Sequence, residues 1–265
     1  MQRYVIRGGR EGYERLKVLA RLRWDDTSAL LNRVGVRSGW RCLDVGCGSG
    51  DVTLEIARML GERGSVVGID IDTTKLELAR KEAAESGLQN VEFRVVDVND
   101  WSEPLGYDLV FSRFLLQHLS QPLDLIRRMW AAVRSGGALV VEDTDFEGLH
   151  CEPPNAGFEF YAQAYPSTVA RFGGDANIGR KLYGLFLEAD IPNPNVKLVQ
   201  RADAIGGEKP MPLLTLEATA QAMIDGGLAT AESIQSAIAS LAAFTDDPTT
   251  IMSSPRIYQV WSHRP

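Results

Sequence analysis

Apolar and polar positions along the chain alternate between two rhythms up to about residue 145. Short unbroken apolar runs, RCLDV (41–45), SVVGID (65–70), VEFRVVD (91–97), YDLVFS (107–112) and GALVVED (137–143), have the length and composition of parallel strands buried on both faces. Between them the spacing changes to that of helices. DVTLEIARML places Val52, Ile56, Met59 and Leu60 on one side. TTKLELARKEAAESG opens on a capping box from Thr74 to Glu77, stacks Leu76, Ala79 and Ala83, and stops at Gly87. PLDLIRRMWAAV carries Pro122 near its start and a stripe of Leu123, Ile126, Trp130 and Val133. Strand and helix in strict alternation predict an α/β fold, a doubly wound and mostly parallel sheet with right-handed crossovers. Ligands of such sheets sit beyond the carboxyl ends of the strands.

Past residue 145 the alternation stops. FEFYAQAYPSTVARFGGDANIGRKLYGLFLEADI predicts one or two helices broken at Pro166 and at Gly173–Gly174, with Phe158, Phe160, Tyr161, Tyr165, Phe172, Tyr183 and Phe186 available to wall a pocket. NVKLVQRAD and PRIYQVWSHR supply a sixth and a seventh strand. Between them 213–244 is helical, with Leu213, Leu216, Ala220, Met223 and Ile224 turned toward a partner surface and Thr230 and Ser233 competing as caps. The expected organisation is one domain over 1–265: a helical lid segment at 1–35, a ligand-binding core at 36–145, and a substrate-side half at 146–265 that carries the helical insertion.

Composition narrows the partner. A formal charge of -7 on 265 residues leaves no basic surface for nucleic acid, so a small molecule is expected. No run reaches the roughly 18 apolar residues of a membrane span, and MQRYVIRGGREGYERL lacks the apolar stretch of a secretory signal. Three scattered cysteines form no disulfide framework. A cytoplasmic protein is expected, its oligomeric state left open.

The candidate chemistry starts at LDVGCGSGD, where Gly46, Gly48 and Gly50 stand at every second position behind a strand. One glycine relieves a turn, but three suggest a ligand lying flat on the backbone. A dinucleotide would call for G-x-G-x-x-G with a helix N-terminus open to pyrophosphate. Here the spacing is G-x-G-x-G, and Asp44 and Asp51 border the loop, which disfavours phosphate and favours a cation. Asp70, ending the second strand, has two acceptor oxygens suited to ribose hydroxyls. Asp97, ending the third, fits either an adenine amino group or turn chemistry.

On these motifs the sequence resembles the class I S-adenosylmethionine-dependent methyltransferases of small-molecule type, most closely over 43–143. The resemblance implies S-adenosyl-L-methionine as cofactor, S-adenosyl-L-homocysteine as product and a small-molecule methyl acceptor, a natural product or metabolite. DVGCGSG, with Asp44, Gly46, Cys47, Gly48 and Gly50, would underlie the methionine and ribose. Asp70 would take the ribose hydroxyls and Ile71 would pack on adenine, with Asp97 and Val98 from VVDVND beside it. YDLVFSRFLLQHL would bring Ser112, Arg113 and Phe114 to the methionine moiety. YVIRGGREGYERL resembles an N-terminal lid in which Tyr4 and an arginine, Arg15 or Arg21, approach the cofactor carboxylate. His118 resembles a histidine of small-molecule members and fits either a general base or a helix-packing residue. The N-P-P-Y-type tetrapeptide of many DNA and glutamine N-methyltransferases is absent, which disfavours those substrates. EDTDFEGLHCE gathers acids as some magnesium-dependent members do, but its spacing matches no metal signature, and a solvated loop with no metal is expected. The alternative function is a protein of this fold that binds S-adenosylmethionine and transfers no methyl group.

Overall fold

A computed structural model of the chain describes residues 9–104 and 106–265, with side chains from residue 12 onward. Tyr4 lies outside the described residues. A long first helix, α1 (Gly9–Val34), leads into β1 (Arg41–Val45), α2 (Asp51–Leu60), β2 (Ser65–Asp70), α3 (Thr73–Glu85), β3 (Val91–Val95), β4 (Tyr107–Arg113), α4 (Pro122–Ala132) and β5 (Val133–Asp145). The second half comprises β6 (Cys151–Glu152), α5 (Ala156–Arg171), α6 (Leu182–Glu188), β7 (Asn195–Val199), β8 (Ala202–Asp203), α7 (Met211–Asp225), α8 (Ala231–Asp246), β9 (Ile251–Ser253) and β10 (Arg256–His263). Among the described residues no helix is long and apolar enough to cross a membrane.

Seven strands form one sheet in the order β3-β2-β1-β4-β5-β10-β7, parallel from β3 to β5, with β10 antiparallel to both of its neighbours. The order reverses between β1 and β4, so the glycine loop after β1 stands at the switch point of the sheet. Successive side chains of a strand face opposite sides, and the core divides accordingly. Cys42, Leu109, Phe111 and Val140 join the layer under α1 and α2, while Leu43, Val45, Val110 and Val141 join the layer under α4 and α6.

The helical cover has its own apolar centre, in which Phe158, Tyr161 and Tyr165 of α5 meet Leu216 and Met223 of α7 and Ile234, Leu241 and Phe244 of α8. Helices α5 and α8 touch at Gly157, where a Cβ would lie 2.6 Å from the Ala237 carbonyl oxygen. Thr230 and Ser233, expected to compete, share a capping box at the start of α8. Lys209, almost fully buried, donates from Nζ to the carbonyls of Ala204 and Asp247 and so ties the start of α7 to the end of α8.

Several local expectations change. α3 is capped by Asp72, whose carboxylate accepts from the Lys75 amide, because the helix begins one residue before Thr74 and leaves no role for a Thr74 capping box. In α4 the buried stripe is Leu125, Ile126, Met129 and Ala132; Trp130 sits at its margin, beneath the Arg264 guanidinium. α5 runs unbroken through Pro166, with the Ser167 and Thr168 hydroxyls bonded back one turn, and ends before Gly173 at φ 87°. NVKLVQRAD divides: β7 stays in the main sheet, whereas β8 pairs with β9 in a separate three-stranded sheet. In α7 Thr215 and Thr219 are buried and Ile224 is exposed. EDTDFEGLHCE is no solvated loop at its start, since β5 runs to Asp145 and Glu142, Asp143 and Asp145 are buried.

Candidate active site

The turn from β1 to α2 holds Gly46, Gly48 and Gly50 at positive φ, a region that side chains with a Cβ rarely adopt. All three positions are also closed by neighbours, Gly46 by Leu115, which a Cβ would approach to 2.8 Å. A Cβ on Gly50 would lie 2.8 Å from Ala79 and from the Phe93 ring, and one on Gly48 would lie 2.9 Å from Leu16 of α1. The glycines therefore serve the packing of α3, β3 and α1 on the loop as well as any ligand.

Asp70 fixes the loop from below. One carboxylate oxygen accepts from the Gly48 amide at 2.9 Å and the other from the Asp72 amide at 2.9 Å, which leaves acceptor capacity on both. Asp44 is buried and accepts from the Thr53 hydroxyl at 2.6 Å; burial pushes its pKa up to about 6, with the Thr53 bond and Arg113 opposing. Burial also raises Asp51, which accepts from the Ser49 hydroxyl.

A cavity of about 590 Å³ opens over this turn, lined by Asp44, Gly46–Ser49, Asp51, Lys75, Arg113, Phe114 and Leu115 and roofed by Leu16, Leu19 and Ala20 of α1. Arg113 donates to the Thr27 hydroxyl, which itself donates to Glu142, so the guanidinium is held by a chain running from α1 to β5. Ser112 lies outside this lining: its hydroxyl donates to the Val45 carbonyl and joins β4 to β1. Cys47 packs beneath the turn against Gly68. Ile71 is 52% exposed and Val98 buried, and Asp97 accepts from the amide and side chain of Asn99.

A second cavity, also about 590 Å³, shares Leu16, Leu19 and Phe114 with the first. Its other walls are Gln117, His118 and Thr144 from the sheet side, Phe146, Tyr161 and Tyr165 from the cover, Met211 and Thr215 from α7, and Arg15 and Arg23 from α1 with Glu208. The Phe146 and Tyr165 rings stack at 4.6 Å. Of the aromatics expected to wall a pocket, Tyr161 and Tyr165 do so, whereas Phe158 and Phe186 are core and Tyr183 is exposed. Arg15 donates to Thr215 at 2.9 Å on this side, and Arg21 is exposed in a groove with Lys17, Trp24 and Glu55. Neither borders the glycine-loop cavity; Arg113 does.

His118 ends the short 3-10 turn after β4. Burial, with the positive charges of Arg15 and Lys75, pushes its pKa down to about 3, so the ring is neutral at pH 7. The turn rests on Asp143, whose carboxylate accepts from the Gln117 and Thr144 amides; burial pushes that carboxyl up to about 7. Leu16, Leu19, Lys75 and Gln117 were not expected as site residues, although the three-residue spacing of Leu16 and Leu19 marks one stripe of α1. Among the described residues no group of three or more His, Cys, Asp or Glu is placed to hold a metal.

Residues 37–178 match the family model described as a methyltransferase domain. The chain belongs to that family, the class I S-adenosylmethionine-dependent methyltransferases. A curated relative, the ubiquinone/menaquinone biosynthesis C-methyltransferase UbiE of Vibrio vulnificus, is 32% identical over 109 residues, 40% of this chain and 42% of that one. The chain spans about half the length of the curated relatives it matches. Among solved structures, the Haemonchus contortus phosphoethanolamine N-methyltransferase 2 in complex with phosphomonomethylethanolamine and S-adenosylhomocysteine aligns with TM-score 0.58 and 17% identity, covering 91% of this chain and 53% of that one. The [4+2]-cyclase SpnF aligns with TM-score 0.53 and 18% identity over 90% and 80%. At these identities the likeness is one of fold.

Proposed function

We propose that this chain transfers the methyl group of S-adenosylmethionine to an oxygen, nitrogen or carbon atom of a small apolar or aromatic molecule. The observation that carries this is the pair of adjoining cavities, one floored by the glycine loop and acids, the other walled by stacked aromatics, with Leu16, Leu19 and Phe114 common to both. When bound, the cofactor supplies an electrophilic methyl group on a cationic sulfur. Asp44 and Asp51 complement that charge, the spare lone pairs of Asp70 take the ribose hydroxyls, and Ile71, Asp97 and Val98 seat the adenine. The methionine carboxylate goes to Arg113, the guanidinium on the cavity wall. Helix α1 roofs both cavities and excludes water from the nucleophile. His118 acts as a hydrogen-bond acceptor that orients an O–H or N–H of the acceptor, because a ring held near pKa 3 takes up a proton too weakly to remove one in advance.

Calorimetry with S-adenosylhomocysteine tests the cofactor assignment. Binding is expected in wild type and weakened by about 1.5 to 3 kcal/mol in Asp70→Ala, which loses charge-assisted hydrogen bonds to the ribose. Unchanged affinity in the variant contradicts it. The alternative, a protein of this fold without methyl transfer, draws support from the likeness to a cyclase, since fold alone does not fix the reaction. Release of S-adenosylhomocysteine only when an acceptor is present separates the two.

A further inference from the structure

The cavity beside the cofactor site is apolar over most of its wall but not at one end. There Arg23 and Glu208, 3% and 5% exposed, face each other as an ion pair through Nη2 and Oε2. Neither side chain is satisfied: Arg23 Nε and Nη1 and Glu208 Oε1 are buried with no hydrogen-bond partner among the described residues. Buried polar atoms without partners are costly, and a built site that carries donors and an acceptor together has a ligand group to receive. Asp26 lies 4.0 Å from Arg23 Nη1 and pairs with Arg201 at 2.8 Å, and the Asp203 carboxylate accepts from the Glu208 amide, so charges of both signs surround the pair.

We propose that the Arg23–Glu208 pair is the specificity-determining end of the acceptor site and reads an uncharged hydroxyl on the acceptor, on the side away from the atom that is methylated. The proposal rests on the methyltransferase assignment for the identity of the neighbouring cavity. A hydroxyl is the smallest group that accepts from the guanidinium and donates to the carboxylate at once. A carboxylate head is repelled by Glu208 and an ammonium head by Arg23. Leu16, Leu19 and Arg23 lie on one stripe of α1, and at 1.5 Å per residue Arg23 is about 6 to 10 Å along the helix from the two leucines of the shared wall. That span fits a two-ring aromatic body with oxygens at opposite ends, and the Phe146–Tyr165 stack offers it a face.

The test is calorimetric titration of 2-methoxynaphthalene, 2,6-dihydroxynaphthalene and 2-naphthoate into the full chain, after a separate titration with S-adenosylhomocysteine. Wild type is expected to bind the diol about tenfold more tightly than 2-methoxynaphthalene, which cannot donate to Glu208, and than the naphthoate, in keeping with sites that hydrogen-bond a substrate hydroxyl. Glu208→Gln takes away the carboxylate that repels an acid and is expected to reverse the order of diol and naphthoate. The double variant Arg23→Met/Glu208→Leu removes both charges at similar volume. It is expected to bind the diol no more tightly than 2-methoxynaphthalene, which gives a second reading should the single variant fail to fold. Affinities within twofold of one another in wild type, no binding of any of the three, or a double variant that keeps the preference would overturn the proposal. The three ligands are titrated whether or not S-adenosylhomocysteine binds: loss of that binding counts against the cofactor assignment, and its presence without discrimination counts against this proposal alone.

Discussion

The sheet half of the molecule and its helical cover make opposite use of sequence. In the sheet half each candidate ligand contact lies within a few residues of a strand end: Asp44 near the end of β1 and the glycines after it, Asp70 at the end of β2, Arg113 at the end of β4 and Phe114 after it. Position in the chain and position in the site are nearly the same thing, because parallel strands deliver their carboxyl ends to one edge. In the cover no such rule operates. Thr215 of α7 meets Arg15 of α1 across 200 residues, and Arg23 meets Glu208 across 185. The first cavity follows from topology, and the second from side-chain packing between elements distant in the chain.

Paired glycine substitutions break or sharpen that contrast most strongly. Gly50→Ala places a Cβ against Ala79 and Phe93 at φ 79° and is expected to cost about 2 to 4 kcal/mol of stability, with S-adenosylhomocysteine affinity falling more than tenfold. Gly157→Ala crowds α8 instead and is expected to cost about 1 to 3 kcal/mol while leaving that affinity within twofold. Chemical denaturation and calorimetry on the two proteins decide it; equal loss of cofactor affinity would erase the distinction between the halves.

His118 supplies the next effect, through pH. Its folded pKa, about 3, lies below the ordinary 6.5, so the unfolded chain binds the extra proton, and its contribution to stability is lost as pH falls from 6.5 toward 3. Asp44 and Asp143, raised by burial to about 6 and about 7, act in the opposite sense over that range, and a variant difference isolates the histidine. His118→Gln should gain stability relative to wild type by up to about 1.4 kcal/mol for each pH unit lowered between 6.5 and 4.5. A difference independent of pH would show that the ring is not held neutral. The smallest effect is expected from Thr215→Val, which removes the hydroxyl that receives Arg15. It should raise the acceptor KM by about fivefold, near 1 kcal/mol, with cofactor affinity unchanged, as steady-state kinetics and calorimetry would report.

What could be read in advance follows the same division. RCLDV, SVVGID and the glycine loop marked their strands and turn because burial on both faces leaves an unbroken apolar run and positive φ demands glycine. The Thr74 cap failed because Asp72, two residues earlier, is an equally good acceptor, and local pattern does not choose between them. Arg15 and Arg21 were legible as charges near the N-terminus but not as to facing. A rotation of 100° per residue sends Arg15 to Thr215 and Arg21 to solvent, and only the contacts of α1 with both halves set that rotation. Glu142 and Asp143 end the strand run GALVVED and also open the acidic stretch EDTDFEGLHCE, and their burial becomes visible only with the partners that satisfy it, here Gln117, Thr144, Thr27 and Gln259.

The central claim is that α1 roofs both a cofactor on the glycine loop and the acceptor cavity that adjoins it. Hydrogen exchange with and without S-adenosylhomocysteine tests it most directly, with binding confirmed in the same sample. The account predicts slower exchange at 46–51 and at 70–72 and in the 14–22 stretch of α1, with α8 unchanged. Protection confined to α8, or none in any of these segments while the ligand is bound, would contradict it.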